Sequence, residues 1–83
     1  MWNVYVLKSS HKRWYYVGST NRLDKRVAEH NKGKVSSTTA YKPLELVYVQ
    51  SFTSEKSARE YEQKLKAKRV EKEALISQIE KET

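Results

Sequence analysis

The 83-residue chain contains no cysteine, which excludes a disulfide framework and any thiolate metal site and is consistent with a reducing cytoplasm. Glycine occurs only at Gly18 and Gly33, too few for a loop that cradles phosphates. The two histidines, His11 and His30, lack metal-ligand spacing. No apolar run approaches the ~20 residues that cross a bilayer, so no membrane association is expected. The opening segment, Met1 to Lys8, has no basic stretch followed by a long apolar one, and reads as a strand rather than a signal peptide. No Ser-His-acid arrangement can be assembled. A chain of this size forms one domain, 1–83, and buries only roughly 60–65% of its unfolded surface, which favours a shallow cleft over a closed cavity.

What the chain has is positive charge, unevenly placed. The formal net charge is +7. Residues 1–44 hold nine Lys and Arg against two Asp and Glu, whereas residues 45–83 hold eight of each. The whole excess lies in the first half. A polyanion is the natural partner of such a field, because each neutralised phosphate releases a counterion. Nucleic acid is the expected partner, with Lys8, Arg13, Arg22, Lys25, Lys32 and Lys34 as the candidate backbone contacts. A plain solubility charge would look the same in composition. No obligate protein partner is inferred, and the charge-balanced stretch 70–80 offers little to one.

Hydrophobic patterning predicts the order ββαβαα. Residues 2–8 alternate, with Trp2, Val4 and Val6 on one face and Tyr5 and Leu7 on the other. Residues 14–19 form an aromatic second strand, in which Gly18 marks a bend or a close backbone approach. Asn21 is the expected cap of a helix over 22–32, stopped by Gly33. Residues 34–42 read as a polar loop. Leu44 to Phe52 is apolar on both faces, as a central or well-covered strand would be. Thr53 or Ser54 caps a second helix with a stripe of Ala58, Tyr61 and Leu65, and Val70, Ala74, Leu75 and Ile79 line a third.

Five positions could carry chemistry. Arg26 and His30 lie four residues apart beside the Leu23/Val27 stripe, where an arginine can grip a phosphate; pairing with a local acid is the competing reading. Tyr5 and Tyr16 can share a sheet face if the register allows, as reactive hydroxyls or as core aromatics showing a hydroxyl at the rim, the role that also suits Tyr15, Tyr41, Tyr48 and Tyr61. Glu62 follows Ala58 by one helical turn and needs a partner: a divalent cation, or Lys66 one turn on.

Asn3-Val4-Tyr5 and, ten residues on, Tyr16-Val17-Gly18 resemble the paired signature of the GIY-YIG endonuclease superfamily. The stretches Gly18 to Leu23, Arg26 to Asn31, Pro43 to Tyr48, and Ala58 to Lys66 are similar to the family's segments C-terminal to that signature, and the likeness is strongest to its small stand-alone bacterial members of the UPF0213 type. The resemblance implies an α+β fold, a three-stranded antiparallel sheet flanked by helices. It implies metal-dependent phosphodiester hydrolysis, most simply of DNA in repair or recombination. Position by position, Tyr5 would activate or orient the attacking water, Tyr16 would hold water or phosphate, and Arg26 would stabilise phosphoryl charge. Glu62 would hold one divalent cation, Mg²⁺ or Mn²⁺, and His30 would assist Arg26 or Tyr5. Asn3 stands where the signature has glycine, and no asparagine occurs after Asn31, so a late cleft-shaping asparagine of several such nucleases is missing. The rival function is a non-catalytic nucleic-acid-binding module that uses the strand aromatics and the basic surface.

Overall fold

A computed structural model describes residues 1–82. The elements run β1 (Trp2–Ser9), β2 (Tyr15–Thr20), α1 (Leu23–Asn31), a 3-10 turn (Thr39–Tyr41), β3 (Leu44–Phe52), α2 (Glu55–Ala67) and α3 (Arg69–Glu82). The three strands form an antiparallel sheet in the order β2-β1-β3, so the fold is the α+β arrangement expected.

Because side chains alternate along β1, the two faces of the sheet differ in kind. Val4 and Val6 join Tyr15 and Val17 of β2 and meet Ala58 and Leu65 of α2 and Leu75, Ile76 and Ile79 of α3. This aliphatic face is the larger core. On the opposite, aromatic face, Tyr5, Leu7 and Leu44 are buried under Trp14, Tyr16, Leu23, Val27 and Tyr41.

The strand expected at the centre is at an edge. β1 pairs on both sides, while β3 pairs only with β1 and leaves Leu46 37% and Val49 41% exposed. A register shift opposite Val6/Leu7 explains the misleading pattern. One extra residue in β3 switches the phase of alternation, so Leu44 faces the aromatic side whereas Val47 and Tyr48 pack on the aliphatic core. Both faces of the strand are apolar without the strand being enclosed.

Local signals set the helix ends. Ser54 caps α2, its hydroxyl accepting from Ser57 N–H at 3.2 Å. Gly33 stops α1 in the left-handed region at φ 80°, donating to His30 O at 3.1 Å while Lys34 N–H reaches Glu29 O at 3.1 Å. Asn21 does not cap α1: Arg22 occupies the cap without a side-chain bond, and its N–H instead donates to Thr20 Oγ1 at 2.9 Å, which ties the helix start to the end of β2. Asn31 fixes the other end, accepting from Leu44 N–H at 2.6 Å and donating to Leu44 O at 2.9 Å. On α3 the inward stripe is Leu75, Ile76 and Ile79: Leu75 and Ile79 are buried as expected and Ile76 joins them, whereas Ala74 is exposed and Val70 is 81% exposed.

Candidate active site

The β1–β2 register pairs Tyr5 with Gly18 and Leu7 with Tyr16, which sets the two tyrosines diagonally on the aromatic face with ring centroids 6.3 Å apart. Gly18 is what lets the Tyr5 ring lie flat there. A Cβ at this position would stand 2.6 Å from the Tyr5 hydroxyl oxygen and 2.7 Å from Cζ. The glycine serves a close ring-to-backbone approach.

α1 lies across this face and delivers His30, which is completely buried. His30 Nε2 is 2.9 Å from the Tyr5 hydroxyl, and Nδ1 is 2.8 Å from Thr38 Oγ1. Thr38 donates its one hydroxyl proton to Val35 O at 3.3 Å, so it accepts from Nδ1–H. With the Thr38 proton on Val35 O, Nε2 keeps the lone pair and accepts from Tyr5 O–H. A directional chain runs from Tyr5 through His30 and Thr38 to the Val35 carbonyl. Thr38, itself fully buried, sits in a polar loop and carries no sequence signal of its own.

Electrostatics favour the neutral form of both groups. Burial, then Tyr16, push the Tyr5 phenol up to about 12, Glu62 pushing the same way, while the Arg26 guanidinium beside it pulls the other way. His30 lies below its ordinary 6.5, through burial first and the Arg26 charge second, with Glu29 opposing. The local acid considered for Arg26 is present as well: Glu29 Oε1 is 3.1 Å from its Nη1, and Glu29 also meets Arg22 at 3.7 Å. Arg26 therefore faces Tyr5 while braced by Glu29.

Glu62 comes from α2 at the rim of β2. It accepts from Ser19 Oγ at 2.5 Å, and Lys66 Nζ lies 2.8 Å from its other oxygen. Lys66 also stands over the Tyr16 ring, 5.5 Å from its centroid. Tyr5, Tyr16, Arg26, His30 and Glu62 thus gather around one end of the aromatic face. Of the basic residues, Arg22 and the exposed Lys25, Lys32 and Lys34 lie on or beside α1, the helix that covers that face. Lys8 and Arg13 do not join them. Lys8 points to the aliphatic side, with Glu45 and Glu80 around it. Arg13 is held by Glu80 at 2.8 Å. Among the described residues, no three His, Cys, Asp or Glu side chains converge as a metal cluster.

The site defines a class: a small α+β domain with paired strand tyrosines over a glycine, an arginine and a buried histidine on the first helix, and a carboxylate on the second. Residues 1–74 match the model of the GIY-YIG catalytic domain, and the chain belongs to that family of nuclease domains. Its relatives are UPF0213 proteins. It is 41% identical over 59 residues to UPF0213 protein YazA of Bacillus subtilis, a match that spans 70% of this chain and 59% of that one. It is 39% identical over 78 residues to a UPF0213 protein of Halobacterium salinarum, spanning 92% of this chain and all of the other. The solution NMR structure of the UPF0213 protein BH0048 from Bacillus halodurans superposes with a TM-score of 0.58 at 32% identity, covering 93% of this chain and 84% of that one. No helix among the described residues is long and apolar enough to cross a membrane.

Proposed function

We propose that this chain is a divalent-metal-dependent endonuclease that hydrolyses phosphodiester bonds, with DNA the first substrate class to test and the cytoplasm its setting. The observation that carries the reading is the hydrogen-bonded chain Tyr5–His30–Thr38, whose Tyr5 end lies beside Arg26, Tyr16 and Glu62. Such an arrangement suits attack by water on phosphorus. The Tyr5 oxygen takes a proton from the water as its own proton passes to the His30 Nε2 lone pair. The water oxygen bonds to phosphorus, the bond from phosphorus to the leaving oxygen breaks, and that oxygen is protonated from solvent. Arg26 neutralises charge growing on the phosphoryl oxygens, and Tyr16 borders the space for water or phosphate.

Glu62 fits the proposed metal. One carboxylate with the Ser19 hydroxyl beside it suits Mg²⁺ or Mn²⁺ completed by waters and substrate phosphate. The Lys66 ammonium at 2.8 Å already marks a cation position, and its side chain is 47% exposed, free to move aside. When bound, the ion would supply positive charge to the departing oxygen. The test is nicking of supercoiled DNA, and cutting of single-stranded DNA and RNA, with Mg²⁺ or Mn²⁺. Glu62→Ala and Arg26→Ala should abolish it; cleavage unchanged in both variants, or none on any nucleic acid, would defeat the reading.

One observation favours a second reading, the non-catalytic binding module: Lys66 alone can neutralise Glu62. Binding that is tight, steeply salt-dependent and indifferent to Mg²⁺, without cleavage, would select it.

A further inference from the structure

The aromatic face does not end at Tyr16. Trp14, where the chain enters β2, lies 6.4 Å from the Tyr16 ring and 25° from parallel. Tyr41, in the 3-10 turn, stacks on Trp14 with centroids 3.8 Å apart and planes within 4°. The rings form a ladder from Tyr5 through Tyr16 and Trp14 to Tyr41, out of the buried site to the surface. The outer two are half-buried. The indole covers one face of Tyr41, and Lys12 Nζ stands over the ring, 5.7 Å from its centroid. Lys42 is the next residue in the chain.

This geometry is fixed by backbone. Ser10 N–H donates to Pro43 O at 3.0 Å, and Trp14 N–H to Lys12 O at 2.8 Å. The loop that carries Lys12 and Trp14 is thereby clipped to the segment that carries Tyr41. A half-buried, preformed stack that reaches the surface with an ammonium over its outer ring matches one ligand chemistry: a planar base attached to a phosphate. A base taking the place of Lys12 on the Tyr41 ring would leave the displaced ammonium to meet the phosphate. Bases inside a duplex cannot reach such a surface.

We propose that the Trp14–Tyr41 stack is a nucleobase subsite, so that this protein acts on a strand with at least one unpaired base beside the scissile phosphate. The inference rests on the nuclease reading only for the position of that phosphate. The test measures affinity of the full chain in EDTA, so that nothing is cut. The ligands are a short single-stranded DNA, its blunt duplex, and an abasic strand of the same length. Tyr41→Leu should weaken single-strand binding about 5- to 150-fold, the range of one base–aromatic stack. Duplex binding should be unchanged, and Tyr41→Phe should restore the lost affinity. The unaltered protein should bind the abasic strand as weakly as Tyr41→Leu binds the normal one, a comparison that needs no variant of Trp14 to fold. Equal losses on single strand and duplex, no loss at all, or an abasic strand bound as tightly as the normal one would overturn the subsite. Selective Tyr41-dependent binding without cleavage under Mg²⁺ or Mn²⁺ would keep the subsite and reject the nuclease. Cleavage without Tyr41-dependent selectivity would do the reverse.

Discussion

The two faces of one three-stranded sheet have been put to different uses. The aliphatic face is mainly Val, Leu, Ile and Ala between sheet and helices; among the described residues its one buried ionisable side chain is Tyr15, with half-buried Tyr48 beside the same core, its phenol pushed up to about 12 by burial first. The aromatic face buries a tyrosine hydroxyl, an imidazole and a threonine in one hydrogen-bonded chain, and every buried side-chain N or O among the described residues has a partner. Here β1 separates the tasks by alternation alone, with Val4 and Val6 turned one way and Tyr5 and Leu7 the other.

The largest effect expected from breaking this division is chemical. Tyr5→Phe keeps the ring over Gly18 but removes the hydroxyl, and cleavage should slow by about 10²- to 10⁴-fold, with unfolding free energy down by only about 1–3 kcal/mol for the orphaned His30 Nε2. A cleavage assay paired with chemical denaturation separates the two numbers. On the other face, Leu65→Ala should cost about 2–5 kcal/mol of stability, with the rate per folded molecule unchanged. If Leu65→Ala slowed the folded enzyme as much as Tyr5→Phe, the faces would not be independent.

Thr38→Val retains volume but leaves the His30 Nδ1–H unpaired, at a cost of about 1–3 kcal/mol. It should also displace the pH profile of cleavage, which Thr38→Ser should restore; a profile that does not move would make Thr38 a packing residue only. The pH dependence of stability is a finer probe. His30 is held below 6.5, so the unfolded chain binds a proton that the folded one resists. That contribution is complete above pH 6.5 and is lost as pH falls through the lowered value of the folded state. Melting temperatures should decline on that side of 6.5, and His30→Gln should flatten the decline. The carboxylates Glu29 and Glu80, both lowered from 4.5, act only in a more acidic window. The smallest effect concerns charge: Lys32→Ala and Lys34→Ala should each reduce the salt slope of nucleic-acid binding by ≈ 1, whereas Lys8→Ala and Arg13→Ala should leave it nearly unchanged, as binding titrations over a salt series would register.

Much of this was legible in the sequence because it is local. Alternation in residues 2–8, the Ser54 cap and the Gly33 stop all act within a few residues, and the structure shows each of them. What was not legible depends on distant pairings. β3 looked central because alternation reports burial, not sheet order, and a single extra residue disguised an edge strand. Asn21 looked like a cap until Thr20, held in the sheet, took the Arg22 N–H. Arg13 could not be seen to belong to Glu80, since that partner lies on the far helix. Thr38 had no signal of its own; only the fold of α1 and the loop after it sets a hydroxyl under an imidazole.

Gly18 has a bearing on how the hairpin finds itself. β1 and β2 carry aromatic and β-branched side chains on both faces, so a one-residue slip would turn each face's residues to the other side. Sliding β2 by one position would set Val17 or Ser19 opposite Tyr5, where a side chain would occupy the ground the phenol needs. Only one alignment closes with the ring seated. The missing methyl group works as a key cut for a single lock, and a folding chain that reaches that alignment has, in the same event, aimed the Tyr5 hydroxyl at the place His30 will fill.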